Sequence, residues 1–172
     1  MPRSPGTAPE PSSGSIRVGI GYDSHRFNSS RKLILGGVNI PDAPGLSAHS
    51  DGDAVCHAVA DAILGAAGSG DIGKLFPDDD EENRGRDSIE MLQLAVTSIE
   101  QLGYRVNQVD ATVVAERPKI GPYREAIQHR LAAALGILPG DVGIKGKSNE
   151  AMGWIGRGEG LACIAVATLS RR

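Results

Sequence analysis

Apolar and polar positions along this chain switch repeatedly between a period of two and a period near 3.6. Ile16, Val18 and Ile20 alternate with Arg17 and Gly19, which predicts a first strand. That strand is expected to end at Gly21-Tyr22-Asp23, followed by a polar loop through Ser30. An apolar run at 33–35, the Gly36-Gly37 break and a second run at 38–40 predict a hairpin or bulged strand, with a turn cluster at 41–45. Val55, Ala58, Val59, Ala62, Ile63 and Ala66 then recur at helical spacing, with Ser50 expected to cap the helix and Asp53 to complete a shortened capping box. A second helix is expected after Asp87, with Glu90 at the capping-box position, a stripe of Ile89, Leu92, Ala95, Val96, Ile99 and Leu102, and a stop at Gly103. A strand over 106–115 directs Val109, Ala111 and Val113 to one face. Pro122 opens a third helix with Ile127, Leu131, Ala134 and Leu135 inward, ending at Gly136. Short strands at 142–145 and 161–169 flank a Gly-rich segment at 153–160.

Alternating strands and helices predict an α/β or α+β layer, a mixed β-sheet with helices packed on one face. An uncovered apolar face on such a sheet would need a partner, which makes the chain a candidate oligomer. The 172 residues suffice for one domain with its own core. Residues 1–15 are rich in Pro, Ser and Gly and lack apolar periodicity, so they are expected to form a disordered tail, with 16–172 as a single domain. A net charge of -3 argues against a nucleic-acid surface, which would be basic. No apolar run approaches the ~20 residues of a membrane span, and the tail lacks the apolar centre of a signal peptide. Cys56 and Cys163 are far apart among apolar neighbours and read as reduced core thiols of a cytoplasmic protein.

Asp23 and His25 stand two apart at a strand end, so their side chains share a face. With His57 they make two imidazoles and one carboxylate, the donor set of a catalytic zinc site with an open position; solvated loop residues are the other reading. Asp53 and Asp61 flank His57 at i±4 and are the candidates for taking the second imidazole N–H. His49-Ser50 before the helix suits phosphate binding or charge stabilisation, or else Ser50 simply caps. Two βα loops, 115–121 and 145–150, follow strands where α/β proteins bind ligands. The second offers cations, a hydroxyl and a carboxylate, a set suited to a diphosphate and a hard divalent ion. Trp154, beside Arg157, suits either the core or an oligomer interface.

Six motifs then occur in one order: Gly21-Tyr-Asp-Ser-His25; Gly36-Gly-Val-Asn-Ile-Pro41; Ala48-His-Ser-Asp-Gly-Asp53 with His57; Asp71-Ile-Gly-Lys-Leu-Phe-Pro-Asp78; Arg117-Pro-Lys119; and Gly156-Arg-Gly-Glu-Gly160. In this the chain resembles the 2-C-methyl-D-erythritol 2,4-cyclodiphosphate synthase family of non-mevalonate isoprenoid biosynthesis. The resemblance implies a lyase that cyclises a cytidine diphosphate substrate with release of CMP. It implies a homotrimer around the sheets, with active sites between adjacent subunits. It implies Zn2+, or a similar divalent transition metal, on Asp23, His25 and His57, and Mg2+ or Mn2+ on Glu150. By the same match, His49 and Ser148 stabilise the transition state. The methylerythritol phosphate would meet His49, Ser50, Asp71, Ile72, Gly73, Phe76, Pro77, Asp78, Asp79 and Asp80, and Asp23, Ser24 and His25 would also touch substrate. The cytidine would meet Ala115, Glu116, Arg117, Pro118, Lys119, Ile120 and Gly121, and the diphosphate Lys147, Ser148, Asn149 and Glu150. Trp154 and Arg157 would stand near the trimer axis, beside a cavity able to take an isoprenoid diphosphate. The chain departs from the family where many bacterial members carry a Thr-Thr-Thr-Glu run: here it reads Lys147-Ser-Asn-Glu150.

Overall fold

The computed structural model of the chain describes residues 15–77 and 83–172. Apart from Ser15, the expected tail lies outside the described residues, as do Asp78, Asp79 and Asp80. In chain order the elements are β1 (Ile16–Leu35), β2 (Val38–Leu46), α1 (Ala54–Ala67), α2 (Ile72–Leu75), α3 (Ser88–Gln101), β3 (Tyr104–Val114), α4 (Arg124–Leu135), β4 (Val142–Lys147), α5 (Gly153–Gly156) and β5 (Gly160–Arg171). The strands form one mixed sheet in the order β2-β1-β5-β3-β4, antiparallel except for the β3–β4 pair.

The expected loop after Asp23 is instead the middle of a 20-residue strand. Its first half, Ile16 to Arg26, pairs with β5, and its second half pairs with β2. The polar stretch around Ser30 is absorbed by register shifts between Asn28 and Lys32 and between Lys32 and Leu33, a bulge rather than a loop. β2 carries the expected turn cluster as a second irregularity: Pro41, Asp42 and Ala43 fall between the pairs Leu33–Ile40 and Lys32–Pro44 with Asp42 at positive φ, and pairing with β1 resumes from Pro44 to Leu46.

Helix α1 is capped by Asp53 rather than Ser50. Asp53 has extended backbone, and its carboxylate accepts from Val55 N at 3.0 Å and Cys56 N at 3.1 Å. The same carboxylate accepts from Gly36 N at 2.8 Å and Gly37 N at 2.6 Å, which ties the β1–β2 turn to the start of α1. Both glycines sit at positive φ, where the turn needs them. An N-cap alone contributes about 1 kcal/mol. Asp87 caps α3 as expected, but Glu90 pairs with Arg86 Nη2 at 3.0 Å instead of closing a capping box. Leu102 falls at the C-cap and is exposed, so the α3 stripe ends at Ile99.

Helices α1, α3 and α4 cover one face of the sheet, with Leu33, Leu35, Ile63, Leu92, Ile99, Ile127, Leu131 and Leu169 fully buried between the layers. The other face leaves Ile16, Val18, Ile20 and Tyr22 of β1 exposed beside Ile164 and Val166 of β5. These residues adjoin across the ladder, where Ile20 opposes Val166 and Tyr22 opposes Ile164.

Against α1, β1 presents glycine. A Cβ on Gly21 would lie 1.9 Å from Ala58 O, and one on Gly19 would lie 2.1 Å from Ala62 O. The helix backbone therefore rests directly on the strand. Gly21→Ala is expected to cost ~3 kcal/mol, the upper end of overpacking penalties. Gly140→Ala, where an added Cβ meets nothing within 4 Å, serves as the near-neutral control. Urea unfolding of both variants measures the difference.

Candidate active site

The close contact at Gly21 fixes what lies next to it. Two residues along β1 is Asp23, and one residue before Ala58 on α1 is His57. His57 Nδ1 stands 3.1 Å from Asp23 Oδ2, and His25 Nε2 stands 2.9 Å from the same oxygen. One donor atom from each of Asp23, His25 and His57 lies within 4.8 Å of the others, so the three form a candidate metal-binding group. The imidazole rings meet edge-on, with centroids 5.7 Å apart. His25 Nε2 is buried and has no partner with hydrogen-bond geometry. A buried nitrogen left unsatisfied beside a carboxylate and a second imidazole is what a divalent ion would complete.

Burial pushes the Asp23 carboxyl up, but its contacts with His25 and His57 outweigh this and hold it well below the usual carboxylate range. Burial pushes His57 down, and the hydrogen bond and charge of Asp23 more than reverse it. Burial raises both thiols, Cys56 and Cys163, so neither is an activated nucleophile.

A cavity of about 380 Å³ opens over this group. Its walls include Asp23, His25, His49, Ser50, His57, Ile72, Gly73 and Phe76, all expected at the site, together with Asn83 and Met91, which carry no such signal in the sequence. The loop carrying His49 is held by its backbone: Arg31 donates to Ala48 O at 2.7 Å and also to Ser50 O, and Gly85 N donates to His49 O at 2.7 Å. Asp71 caps α2, accepting from Lys74 N at 3.0 Å. Pro77 O accepts from Asn83 Nδ2 at 3.0 Å.

The flanking carboxylates do not take the roles expected of them. Asp53 turns inward as the cap, and Asp61 accepts from Ile72 N at 2.8 Å, pinning α2. The second nitrogen of His57, Nε2, meets Ser88 Oγ at 3.0 Å and Ser50 Oγ at 3.1 Å instead. Ser88 carries no local signal in the sequence, because it comes from another helix 31 residues away.

The other expected residues lie apart from this cavity. Ala115, Pro118, Lys119, Ile120, Gly121, Lys147 and Ser148 line a second one of about 230 Å³, which shares no residue with the first. Glu116 accepts from Asn149 N at 3.0 Å and Ala151 N at 3.1 Å, holding the 148–151 turn. Ser148 Oγ donates to Glu150 Oε1 at 2.7 Å. Ser24 and Trp154 line a third hollow, and Arg117 and Arg157 a fourth.

A mixed sheet layered with helices on one face, and an Asp-His-His group at the end of a cavity, define an α+β domain with a candidate divalent-metal centre. The chain belongs to the YgbB family, whose model matches residues 16–170. It is 56% identical over 154 residues to a 2-C-methyl-D-erythritol 2,4-cyclodiphosphate synthase of Gemmatimonas aurantiaca, covering 90% of this chain and 93% of that protein. Among solved structures, it is similar to a 2C-methyl-D-erythritol-2,4-cyclodiphosphate synthase in a CDP-bound form, at 38% identity and a TM-score of 0.82 over 90% of this chain and all of that one. It also matches the bifunctional IspDF of Campylobacter jejuni at 39% identity and a TM-score of 0.89, over 92% of this chain and 43% of that longer one.

The Asp23–His57 pair links stability to pH. Asp23 titrates below its ordinary 3.8, so its contribution is present above 3.8 and lost as pH falls through the lowered value. His57 titrates above its ordinary 6.5, so its contribution is present below 6.5 and lost as pH rises through the raised value. Metal-free protein is expected to melt highest between these limits and to lose stability on the alkaline side. His57→Ala removes that alkaline decline, as melting curves against pH in a chelator would record.

Proposed function

We propose that this chain converts 4-diphosphocytidyl-2-C-methyl-D-erythritol 2-phosphate to 2-C-methyl-D-erythritol 2,4-cyclodiphosphate with release of CMP, and that residues 16–172 form the catalytic domain. The observation that carries this reading is the convergence of Asp23, His25 and His57, with its unsatisfied buried nitrogen, in a cavity walled by His49 and Ser50. The names of the relatives supply the product, and a CDP-bound neighbour the nucleotide.

An oxygen of the 2-phosphate attacks the β-phosphorus, the bond from that phosphorus to the bridging oxygen breaks, and CMP leaves with the electron pair. Nucleophile and electrophile are both anionic, so the site has to supply positive charge and donors. A zinc ion on Asp23, His25 and His57 would polarise the β-phosphate, and a magnesium or manganese ion on Glu150 would neutralise the diphosphate. The exposed Glu150 and the mixed N/O donor set of the first group suit those ions respectively. His49 and Ser50 face the cavity as donors to the phosphates, and Lys119 and Lys147 bring cations to the second cavity. Backbone groups of 115–121 hold the cytosine, and Ser148 steadies the Glu150 carboxylate. Fixing a flexible substrate with both reacting groups together supplies much of the acceleration.

The two cavities share no wall within one chain. A homotrimer with sites between adjacent subunits would join them, and the exposed apolar strip of β1 and β5 is the surface it would cover. Trp154 and Arg157 would then stand near the trimer axis, where an isoprenoid diphosphate is a candidate ligand.

Phosphorus NMR of the purified chain with substrate and Mg2+ tests the reaction. Cyclic diphosphate plus CMP is expected, lost on zinc chelation and in His57→Ala; inorganic phosphate would instead indicate a hydrolase. Ile20→Asp, which places a charge in the apolar strip, is expected to shift the trimer to smaller species in analytical ultracentrifugation.

A further inference from the structure

Nδ1 of His57 faces Asp23, but Nε2 has its own surroundings, and these decide which nitrogen is free to bind a metal. Two hydroxyls approach Nε2, and they are not equivalent. Ser88 Oγ donates its proton to Asp51 Oδ1. With that proton committed, the Ser88 oxygen can only accept, so the hydrogen has to sit on Nε2. Ser50 Oγ accepts from Gly52 N at 3.1 Å and keeps its own proton free, so it suits either tautomer. Asp51 is itself held in place: its carboxylate accepts from Ser88 N at 3.2 Å and from Asp53 N at 3.2 Å. Ser88 is almost fully buried as the first residue of α3.

We propose that Asp51 and Ser88 are a positioning couple: they hold the hydrogen on Nε2 of His57, so that Nδ1 is the nitrogen presented as a metal ligand toward Asp23 and His25. This rests on the proposed metal centre. Nδ1 hydrogen-bonds the Asp23 carboxylate at 3.1 Å, and with the other hydrogen held on Nε2 it is Nδ1 that would exchange its proton for a cation entering beside Asp23. It also joins the metal centre to the loop of His49. Asp51 lies two residues after His49, and its backbone N–H donates to Arg86 O at 3.1 Å. One residue therefore serves both, its carboxylate the ligand's orientation and its backbone N–H the seat of that loop.

The test is Ser88→Ala in the full chain, prepared metal-free and titrated with Zn2+ against a competing chelator. Loss of an orienting partner behind a metal-bound histidine typically weakens binding about 10–100-fold, and that is the expected change. The zinc-loaded parent is expected to show a slowly exchanging His57 Nε2–H in proton NMR, which exchanges fast in Ser88→Ala. Zinc affinity in Ser88→Ala equal to that of the parent, or an equally protected Nε2–H, would overturn the assignment. A parent chain that binds no zinc would remove the metal centre as well as the couple, whereas a parent that binds beside an unchanged Ser88→Ala removes only the couple.

Discussion

The backbone of α1 lies directly on β1, and this contact is the constraint on which the site depends. It is possible only because Gly19 and Gly21 leave no Cβ between strand and helix. Dispersion and exclusion of water favour such close packing, and a rigid, close-packed interface transmits position well. Asp23 and His57 are each within two residues of the contact, so their separation is set by the core rather than by a loop. Asp53 supports the same interface from the helix end by gathering the Gly36 and Gly37 amides onto the first turn of α1.

Acidic residues close in sequence take different roles because their surroundings differ. Asp53 is fully buried and spends its carboxylate on backbone amides and the Cys56 thiol. Asp61 is half-buried and holds the start of α2. Asp51 reaches across to α3, while Asp23, on the facing strand, meets two imidazoles. Of these four, Asp23 alone gathers two imidazoles, the donor set of a candidate divalent-metal site.

The sheet divides the molecule by function. The helix-covered face carries the core and, at one end, the Asp-His-His cavity. The opposite face carries apolar side chains that a single chain leaves in water. The two candidate cavities have separate walls, and the proposed trimer would have both to cover the apolar face and to bring such cavities together.

Periodicity placed the helices and most strands, because amphipathic spacing is a local property. The motif order carried the family, and it was that resemblance rather than spacing alone that singled out Asp23, His25 and His57. The continuous β1 was not legible, since the polar stretch around Ser30 is carried as a bulge between residues that pair with β2 on either side. The cap at Asp53 rather than Ser50 was decided by the Gly36-Gly37 turn arriving at that carboxylate. Ser88 could not be found from spacing at all, because it reaches His57 from a different helix. Local pattern thus settled which chemistries are on offer and which faces are apolar. Which groups meet was left to the packed fold, because hydrogen-bond partners distant along the chain are chosen by packing.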